Sequence, residues 1–458
     1  MTQNGQPCGC ADFSRAQVLR RAAAEAGRGL PAIEPGMPLP AGTGLTRRTF
    51  ISRAAGMALA VYGAAQLGPK AFEEGIARAA ADPSDRVLVT IFMSGGADSL
   101  SILCPTGHPQ YAALRPTLAL APGDGIPFAE DTSLHWHPSA TALSTLHGEG
   151  KLTVLPSIGY DDPNQSHFTS RHYWEVGETN PFGRYGWLGR YLDHHGAPDN
   201  PLQGLTLGWD LQPSLAASAV PVAAVSSPDQ YDFWARGVWG PIEEPMLDAF
   251  GGLGSLPTSD AGLKSARTAT AATGRLRDQL EPFQAGYSTP AGVTYPDSDF
   301  SHRLAALAAM LAGGLPLKVV AMEAHGGYDT HSDQLANMPG DVQVTCDSLL
   351  AFQRDLESRG LADRVLVHVW SEFGRRPEEN GSGTDHGAAG TGFVMGTSVT
   401  GQMVGEFSGL ASLDEQDNLR STSDFRALYC SLLEQWLAVD AGEVIPGASS
   451  FARPAVIA

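Results

Sequence analysis

The stretch Arg364–Gly396, RVLVHVWSEFGRRPEENGSGTDHGAAGTGFVMG, decides the fold that we expect for this chain. It begins with VLVHVW, a run of β-branched and aromatic residues that predicts a buried strand over residues 365–370. A polar loop with six glycines follows, and an apolar strand resumes at Phe393–Met395. A strand, a polar loop and a second strand are typical of an open α/β sheet, where chemistry collects at the carboxyl ends of the strands.

The loop after this strand carries the side chains of a candidate site. Its carboxylates and imidazoles, without thiolates, suit Zn, Mn, Fe or Mg, and Ca is possible. Arg375 or Arg376 could hold an oxyanion at two points, because a guanidinium is a planar fork. The same arginines could instead pair with Glu378 or Glu379 at the surface. The loop residues assigned to the site are Glu372, Arg375, Asp385 and His386.

Two further strands are predicted to end in carboxylates or histidines. The segment Leu317–Ala324 leads to Asp329 and His331, and an i, i+2 spacing in extended backbone places both side chains on one side, as chelation of one ion requires. The segment Arg86–Met93 leads to Ser-Gly-Gly-Ala and then Asp98. Each end alone is equally well explained as a glycine-rich turn with a capping Asp. Three such ends together predict a shared site.

A fourth predicted strand, Lys151–Ile158, leads to Ser166 at the start of a helix that runs through Trp174. A serine at this place could be the N-cap of that helix. The strand exit and the helix dipole would also place it to attack an ester of an anion. Both interpretations stay open from the sequence.

The order of the predicted elements indicates the fold class. Helices over Asp299–Leu311 and Asp341–Arg359 each precede a strand, and such repeats predict right-handed parallel crossovers. We therefore expect an α/β fold with a mostly parallel central sheet flanked by helices. Residues 226–296 are the least regular, with Pro and Gly clusters around one polar helix, Ala261–Leu280, and we interpret them as an irregular cap insertion.

Length and charge limit the classes of function. The chain has 458 residues and a formal charge of -19. Residues 1–81 hold nine Lys and Arg against five Asp and Glu, which leaves 21 against 44 for the remainder. Such an acidic surface should repel nucleic acid and anionic lipid. An anionic substrate would therefore need a local positive centre, such as a metal ion or an arginine.

The N-terminal residues predict export. Residues 1–45 are rich in Ala, Gly and Pro, and we expect a mobile tail. TRRTFI at 46–51 and the weakly apolar AAGMALAVYGAAQL at 54–67 resemble a twin-arginine signal peptide, and Ala79–Ala81 offers a cleavage site. The twin-arginine translocation machinery would then deliver the protein to the periplasm, cell envelope or exterior, without a stable membrane span in the mature form. The alternative is an amphipathic N-terminal helix.

Motifs along the chain resemble a widespread bacterial family of exported proteins that is named as a domain of unknown function. After the twin-arginine leader they are SGGADSL at 94–100, SHF at 166–168, GGYDTH at 326–331, SEFGR at 371–375 and TDHGAAG at 384–390. This family resembles a branch of the alkaline phosphatase and sulfatase superfamily, whose members bind two divalent metals at the carboxyl edge of a mostly parallel sheet. The resemblance implies that residues 82–458 form a single alkaline phosphatase-like domain.

The resemblance also implies roles for particular residues. Ser166 stands where the superfamily's nucleophile opens a helix, and Asp98 matches its first metal-binding Asp. Many members have an Asp-His pair after the strand that here ends at Trp370, whereas this chain has Glu372 and Phe373, so one or two divalent ions are implied. The residues assigned to metal are Asp98, Asp329, His331, Glu372, Asp385 and His386.

These observations predict an exported, metal-binding, hydrolase-like protein. A small anionic phosphate or sulfate ester would be attacked by Ser166, while Arg375 would stabilise the ester oxygens. A Ser-His-Asp hydrolase built from Ser166 with His167, His325 or His386 is one alternative, but no Gly-x-Ser-x-Gly elbow surrounds this serine. A non-catalytic binding protein on a phosphatase-like scaffold is the other, because a fold does not determine function.

Overall fold

The computed structural model describes most of the chain beyond residue 85. The tail and twin-arginine signal predicted for residues 1–81 lie almost entirely outside the described residues, so both stay predictions. The residues that the structure describes are 37–38, 41, 59–61, 86–121, 123–197, 200–228 and 240–458.

Short strands alternate with helices along the described chain. In chain order the strands are β1 (Leu59–Val61), β2 (Val87–Phe92), β3 (Leu103–Cys104), β4 (Ile126–Pro127), β5 (His135–Trp136), β6 (Leu152–Gly159), β7 (Gly204–Leu207), β8 (Pro221–Val225), β9 (Val319–Glu323), β10 (Val365–Trp370), β11 (Arg375–Glu379), β12 (Thr384–His386), β13 (Gly390–Met395) and β14 (Ser423–Asp424). The α-helices are α1 (Tyr111–Leu114), α2 (Thr141–Gly148), α3 (His167–Val176), α4 (Trp187–His195), α5 (Glu243–Gly254), α6 (Ala261–Gln284), α7 (Asp299–Ala312), α8 (Gln334–Ser358) and α9 (Phe425–Ser431).

The first of two compact units contains the described parts of Met1–Val87, Pro181–Ser288 and Ala306–Met322. In it β7 pairs in parallel with both β8 and β9, and β1 pairs with β8 in the antiparallel direction. The sequence predicted one helix between residues 226 and 296, whereas the structure has α5 as well as α6 there. The glycines and the proline of α5 hid it, because both residue types disfavour helix interiors.

The second unit contains Leu88–Asn180, Thr289–Ala305 and Glu323–Ala458. Its strands are ordered β2-β10-β13-β6-β14. β13 lies antiparallel to both β10 and β6, and β14 runs parallel to β6. All the candidate site residues fall within this unit, so its packing determines their geometry.

An aromatic stack fixes the helix and the strand that lead into the candidate site. Every residue of β10 is buried, as its apolar run predicts. Trp370 at its end stacks on Phe92 of β2 at 4.4 Å between ring centroids and on Trp174 of α3 at 5.5 Å. Trp174 also stacks on Phe425 of α9 at 4.6 Å. These contacts hold the C-terminal half of α3 close to the end of β10.

The polar loop expected between Trp370 and Phe393 contains two strands, so the prediction of an all-loop segment is wrong. β11 and β12 pair in the antiparallel direction, with Arg375 opposite His386. Glycines and charged side chains are uncommon in strands, which is why the pattern predicted a loop. The pairing is compatible with them because the guanidinium of Arg375 is buried against backbone carbonyl groups.

The predicted fold class is confirmed: the chain is a mixed α/β protein with a largely parallel central sheet flanked by helices. The organisation as a single domain with a cap around residues 226–296 stays a prediction. Helix α8 starts seven residues earlier than expected, at Gln334 rather than Asp341, and includes Pro339. No helix within the described ranges is long and apolar enough to cross a membrane.

Candidate metal centre

Three imidazole rings converge on one carboxylate oxygen beyond the end of β9. Asp329 Oδ1 lies 3.4 Å from His167 Nε2, 3.2 Å from His331 Nε2 and 3.5 Å from His386 Nε2. One ligand atom from each of His167, Asp329 and His386 lies within 4.8 Å of the other two, so this group could hold a metal ion. We call these four residues the Asp329 centre.

A close backbone approach places Asp329. Gly326 turns the chain after β9 with a φ of 85°, and Tyr328 N donates to Ser94 O at 3.0 Å. A Cβ atom added to Gly95 would lie 2.4 Å from Asp329 N. Glycine is therefore required at position 95, because the loop after β2 contacts the backbone of Asp329 directly.

Hydrogen bonds at Nδ1 decide which nitrogen of two rings faces Asp329. His386 Nδ1 lies 2.7 Å from the carbonyl oxygen of Gln165, and His167 Nδ1 lies 2.8 Å from Glu372 Oε1. A carbonyl or carboxylate oxygen can only accept, so each Nδ1 carries a hydrogen. When such a ring is neutral, it presents the lone pair of Nε2 to Asp329, which is the tautomer that a metal-binding histidine needs.

The third ring is held in the same way by a carboxylate that the sequence assigned to metal. His331 Nδ1 lies 3.2 Å from Asp385 Oδ1, and Asn380 Nδ2 donates to the same oxygen at 2.9 Å. Burial raises the pKa of Asp385, but the hydrogen bonds from Asn380 and His331 outweigh it and hold this pKa below its usual range. Asp385 therefore contacts the Asp329 centre through His331.

Glu372 is also placed behind a histidine rather than beside Asp329 Oδ1. It is fully buried, and besides His167 it accepts the backbone N–H of Gly95 at 3.0 Å and of Gly96 at 2.9 Å. Ser371 Oγ donates to Glu372 Oε2 at 2.9 Å. These donors satisfy both oxygens, so in this structure Glu372 orients His167.

The electrostatics of the Asp329 centre call for a cation. Burial raises the pKa of Asp329, but its interactions with His167, His331 and His386 outweigh burial and hold this pKa below its usual range. Burial lowers the pKa of His386 to about 4, so this ring is neutral near pH 7. Burial opposes protonation of His167 too, yet the hydrogen bonds and charges of Asp329 and Glu372 raise its pKa. A neutral His386 directs its Nε2 lone pair at an anionic oxygen, which is unfavourable unless a cation lies between them.

The spacing of the ligand atoms fits such a cation. A tetrahedral ion bonded to nitrogen and oxygen at about 2.0–2.1 Å separates its ligand atoms by roughly 3.3 Å. The three distances from Asp329 Oδ1 to the imidazole nitrogens are 3.2, 3.4 and 3.5 Å. The group that could hold a metal ion consists of His167, Asp329 and His386, whose ligand atoms lie within 4.8 Å of one another, and it does not include His331.

Arg375 contacts Asp329, and its guanidinium is bound by protein oxygens. Nη2 donates to Asp329 Oδ1 at 2.6 Å, and the side chain is 1% exposed. Nε and Nη1 donate at 2.7 and 2.8 Å to carbonyl oxygens. The carbonyl groups that accept from Arg375 belong to Gly95, Gly96, Tyr328 and Thr384. This arrangement presents no free fork to an ester, so Arg375 acts here as a support for Asp329.

Asp98 is occupied by a different cation. Arg115 Nη1 and Nη2 donate to its two carboxylate oxygens at 2.5 and 2.9 Å, and both side chains are completely buried. Gln334 Nε2 adds a hydrogen bond at 2.6 Å. Burial raises the pKa of Asp98, but Arg115 outweighs it and lowers this pKa. Asp98 is not in the group that could hold a metal ion among the described residues.

Ser166 is the N-cap of α3, and this sequence interpretation is confirmed. Its hydroxyl accepts the backbone N–H of Thr169 at 3.4 Å. The two adjacent residues both contact the Asp329 centre, since Gln165 binds His386 and His167 is a member. Ser166 therefore lies in the segment that borders the centre, and its role as nucleophile stays a prediction.

Sequence reasoning missed two residues of this unit that contact the predicted site residues. His167 was considered for a catalytic triad but not for metal, although its position directly after a strand exit and a helix cap was a usable signal. Arg115 had no signal, because the Pro-punctuated segment around it shows no periodicity and its partner Asp98 is defined by the folded structure.

Comparisons with solved structures find low similarity to several proteins, among them a sulfatase and a phosphonate monoester hydrolase. Ps i-CgsB has 10% identity and a TM-score of 0.36, with coverage of 81% of this chain and 75% of that chain. The sulfatase PsFucS1 from Pseudoalteromonas sp. has 13% identity, a TM-score of 0.32 and coverage of 85% and 77%. The phosphonate monoester hydrolase SpPMH from Silicibacter pomeroyi has 12% identity, a TM-score of 0.31 and coverage of 80% and 75%.

The sequence comparisons give one family and no curated relative. No curated protein matches the chain. Residues 266–434 match the family model described as "Protein of unknown function (DUF1501)". The matched range does not include Ser166 or His167. It includes Asp329, His331, Glu372, Asp385 and His386. This match confirms the resemblance to a family of unknown function over those residues.

Proposed function

We propose that this protein binds one divalent transition metal ion at the Asp329 centre and hydrolyses a phosphate or sulfate ester there. One observation carries the proposal: three imidazole Nε2 atoms face Asp329 Oδ1 at 3.2–3.5 Å while their Nδ1 atoms are bound by acceptors. Three rings oriented in this way are costly to maintain around a carboxylate, and a metal ion would make each of them favourable.

The donor set narrows the identity of the ion. Imidazole nitrogens suit Zn, Fe and Mn, whereas Mg and Ca prefer sites made of oxygen atoms. We therefore infer Zn, Fe or Mn from the five metals that the sequence allowed. When bound, the ion would polarise an ester oxygen and lower the pKa of a water molecule.

Two of the other residues that the sequence assigned to metal are already occupied by protein donors. Asp98 has both oxygens bound by Arg115, and Glu372 has both oxygens bound by backbone and side-chain donors. A second cation would have to displace a buried guanidinium that already neutralises Asp98. We therefore propose a mononuclear centre, at which Arg115 takes the electrostatic place of another metal.

The chain's own groups suggest how an ester would be held. The N-terminus of α3 offers backbone N–H groups and the positive end of a helix dipole, which favour an anionic group. Ser166 lies at that terminus, and its hydroxyl is our proposed nucleophile. Attack by Oγ on phosphorus or sulfur would release the alcohol, and water would then restore the serine.

Export belongs to the same proposal. The twin-arginine motif at Arg47–Arg48 and the short apolar segment after it support delivery by the twin-arginine translocation machinery to the periplasm, cell envelope or exterior. That route carries folded proteins, so the ion could be loaded before export. Removal of residues 1–81 should keep the protein in the cytoplasm, and cell fractionation would measure this.

A second candidate function is binding without catalysis. Arg375 Nη2, at 2.6 Å from Asp329 Oδ1, already neutralises the central carboxylate without any metal. This observation favours a protein that keeps a phosphatase-like scaffold and recognises an anion. The experiment below separates the two functions.

Metal content and turnover should be measured together on the full-length protein. We expect near one equivalent of a transition metal in the wild type and in Ser166→Ala, but none in Asp329→Ala. Asp193→Ala is the matched control, because Asp193 caps backbone N–H groups in the other unit. Turnover of an aryl phosphate or aryl sulfate should be lost in both Ser166→Ala and Asp329→Ala. Bound metal without turnover on any ester would favour the binding protein, and a metal-free wild type would exclude the metalloenzyme.

A further inference from the structure

The residue whose carbonyl group orients His386 is bound through its side chain by a distant turn. Gln165 contributes its backbone oxygen to His386 Nδ1 at 2.7 Å. The side chain of the same residue points to a different partner, since Gln165 Nε2 donates to Asn418 Oδ1 at 2.9 Å. One residue therefore connects the Asp329 centre to the segment around Asn418.

Asn418 is built into this connection by burial and by its second hydrogen bond. It is completely buried, and its Nδ2 donates to Asp414 Oδ2 at 3.0 Å. A carboxylate can only accept, so the amide nitrogen must face Asp414 and the amide oxygen must face Gln165. The orientation of Asn418 is thus fixed, and it leaves one acceptor directed at Gln165.

Internal hydrogen bonds stabilise the turn that contains Asn418. The other oxygen of Asp414, Oδ1, accepts the backbone N–H of Gln416 and of Asn418, both at 2.8 Å. Asp414 N donates to Asn418 O at 2.9 Å, and the next residue, Leu419, is buried in a core cluster. The turn 414–418 is therefore a rigid base for the side chain of Gln165.

We propose that Gln165 and Asn418 are positioning residues for His386, which acts as the metal ligand. The proposal rests on the proposed metal-binding function of the Asp329 centre. Asn418 fixes Gln165, the carbonyl group of Gln165 fixes the Nδ1–H tautomer and the plane of His386, and Nε2 is thereby directed at Asp329. Without the hydrogen bond between Gln165 and Asn418, the backbone carbonyl group of Gln165 would be free to rotate away from His386. The ring of His386 would then lose its orientation.

Two variants remove the hydrogen bond between Gln165 and Asn418, each from one of its two partners. Gln165→Ala removes the amide but keeps the backbone carbonyl group that binds His386, whereas Asn418→Ala removes the acceptor. Loss of a group that orients a metal ligand costs 10–100-fold in metal affinity in general, and for this indirect contact we expect about tenfold. The double variant should bind no more weakly than either single variant, because both remove one interaction.

Titration with Co²⁺, followed by its visible absorption, measures the affinity and the geometry of the site. Asn200→Ala is the control, because Asn200 is a buried asparagine that donates to Pro316 O at 2.9 Å in the other unit. It should lower the melting temperature without changing Co²⁺ affinity. Unchanged affinity in Gln165→Ala and Asn418→Ala would overturn the positioning role, and so would additive losses in the double variant.

A second measurement is independent of bound metal. Nitrogen NMR of the metal-free protein should show the Nδ1–H tautomer of His386 in the wild type and a mixture of tautomers in both single variants. If the wild type binds no Co²⁺, the metal proposal fails, while a tautomer shift in both variants still supports the positioning role. A pure Nδ1–H tautomer in both variants would contradict it.

Discussion

Asp98 and Asp329 both lie in the second unit and both have a pKa below the usual range, yet they have different surroundings. Asp98 is paired at both oxygens with one buried guanidinium, that of Arg115. Asp329 has three imidazole nitrogens around Oδ1, which also accepts one hydrogen bond from Arg375. A guanidinium supplies a permanent charge and completes the site, whereas neutral imidazoles supply lone pairs and leave room for an ion. We therefore expect the imidazoles around Asp329, which Asp98 lacks, to make the Asp329 centre the better candidate for a metal ion.

The largest effect should come from Arg115, because removal of one partner from a buried ion pair leaves the other charge without compensation. We expect Arg115→Met to lower the free energy of unfolding by about 3–5 kcal/mol. Urea unfolding with and without a chelator measures this, and the loss should be the same in both. The double variant Arg115→Met, Asp98→Leu should recover part of the stability. A loss that appears only in the presence of metal would place Arg115 at the metal site.

Asp329→Ala should remove the stabilisation that metal gives. A ligand that binds only the folded state at 100 times its Kd stabilises that state by about 2.7 kcal/mol. We expect added Zn²⁺ to raise the melting temperature of the wild type and of Asp193→Ala, but not that of Asp329→Ala. An equal rise in all three proteins would mean that the ion binds elsewhere.

Glu372→Gln tests whether the carboxylate that orients His167 contributes to metal affinity. The substitution keeps the volume of a fully buried side chain but weakens the acceptor for His167 Nδ1. Metal affinity should fall about 10–100-fold, since this is the usual effect of losing such a partner. Isothermal titration with Zn²⁺ measures the change. Complete loss of binding would indicate that Glu372 is itself a ligand.

His368 on β10 shows what burial does to an imidazole that has no carboxylate partner. Burial lowers its pKa to about 3, and its Nε2 has no hydrogen-bond partner among the described residues. The unfolded chain binds a proton at this position below pH about 6.5, whereas the folded protein does not. Stability is therefore full above that pH, and between pH about 6.5 and 3 it falls by up to about 1.4 kcal/mol for each pH unit.

The variant His368→Leu isolates this contribution. Its free energy of unfolding, measured by urea at several pH values, should fall less steeply below pH about 6.5 than that of the wild type. Equal slopes in the two proteins would show that His368 is protonated in the folded state or exposed to water.

The sequence was sufficient for those parts of the fold that depend on local pattern. The β10 strand was predicted at Val365–Trp370 and is found there, because six consecutive buried residues leave an apolar and β-branched run. Asp329 and His331 were predicted as neighbours from their spacing after a strand, and one ring nitrogen of His331 lies 3.2 Å from Asp329. Spacing of this kind survives folding because both residues belong to one extended segment.

The rest depended on contacts between distant parts of the chain. His167 and Glu372 are 205 positions apart, and Arg115 Nε donates to the carbonyl group of Pro377, which is 262 positions away. No local pattern indicates such pairs. The sequence predicted Asp98 and Glu372 as residues of the site, but their partners, which determine what those charges do, are defined only by the folded structure.

We expect Asp329, with three imidazoles around Oδ1, to bind metal, and Asp98, with both oxygens bound by Arg115, not to do so. Anomalous diffraction from crystals of the protein prepared with Zn²⁺, recorded at the zinc absorption edge, tests it most directly. We expect one strong anomalous peak among His167, Asp329 and His386, and none at Asp98. A peak at Asp98, or no peak beside Asp329, would contradict it.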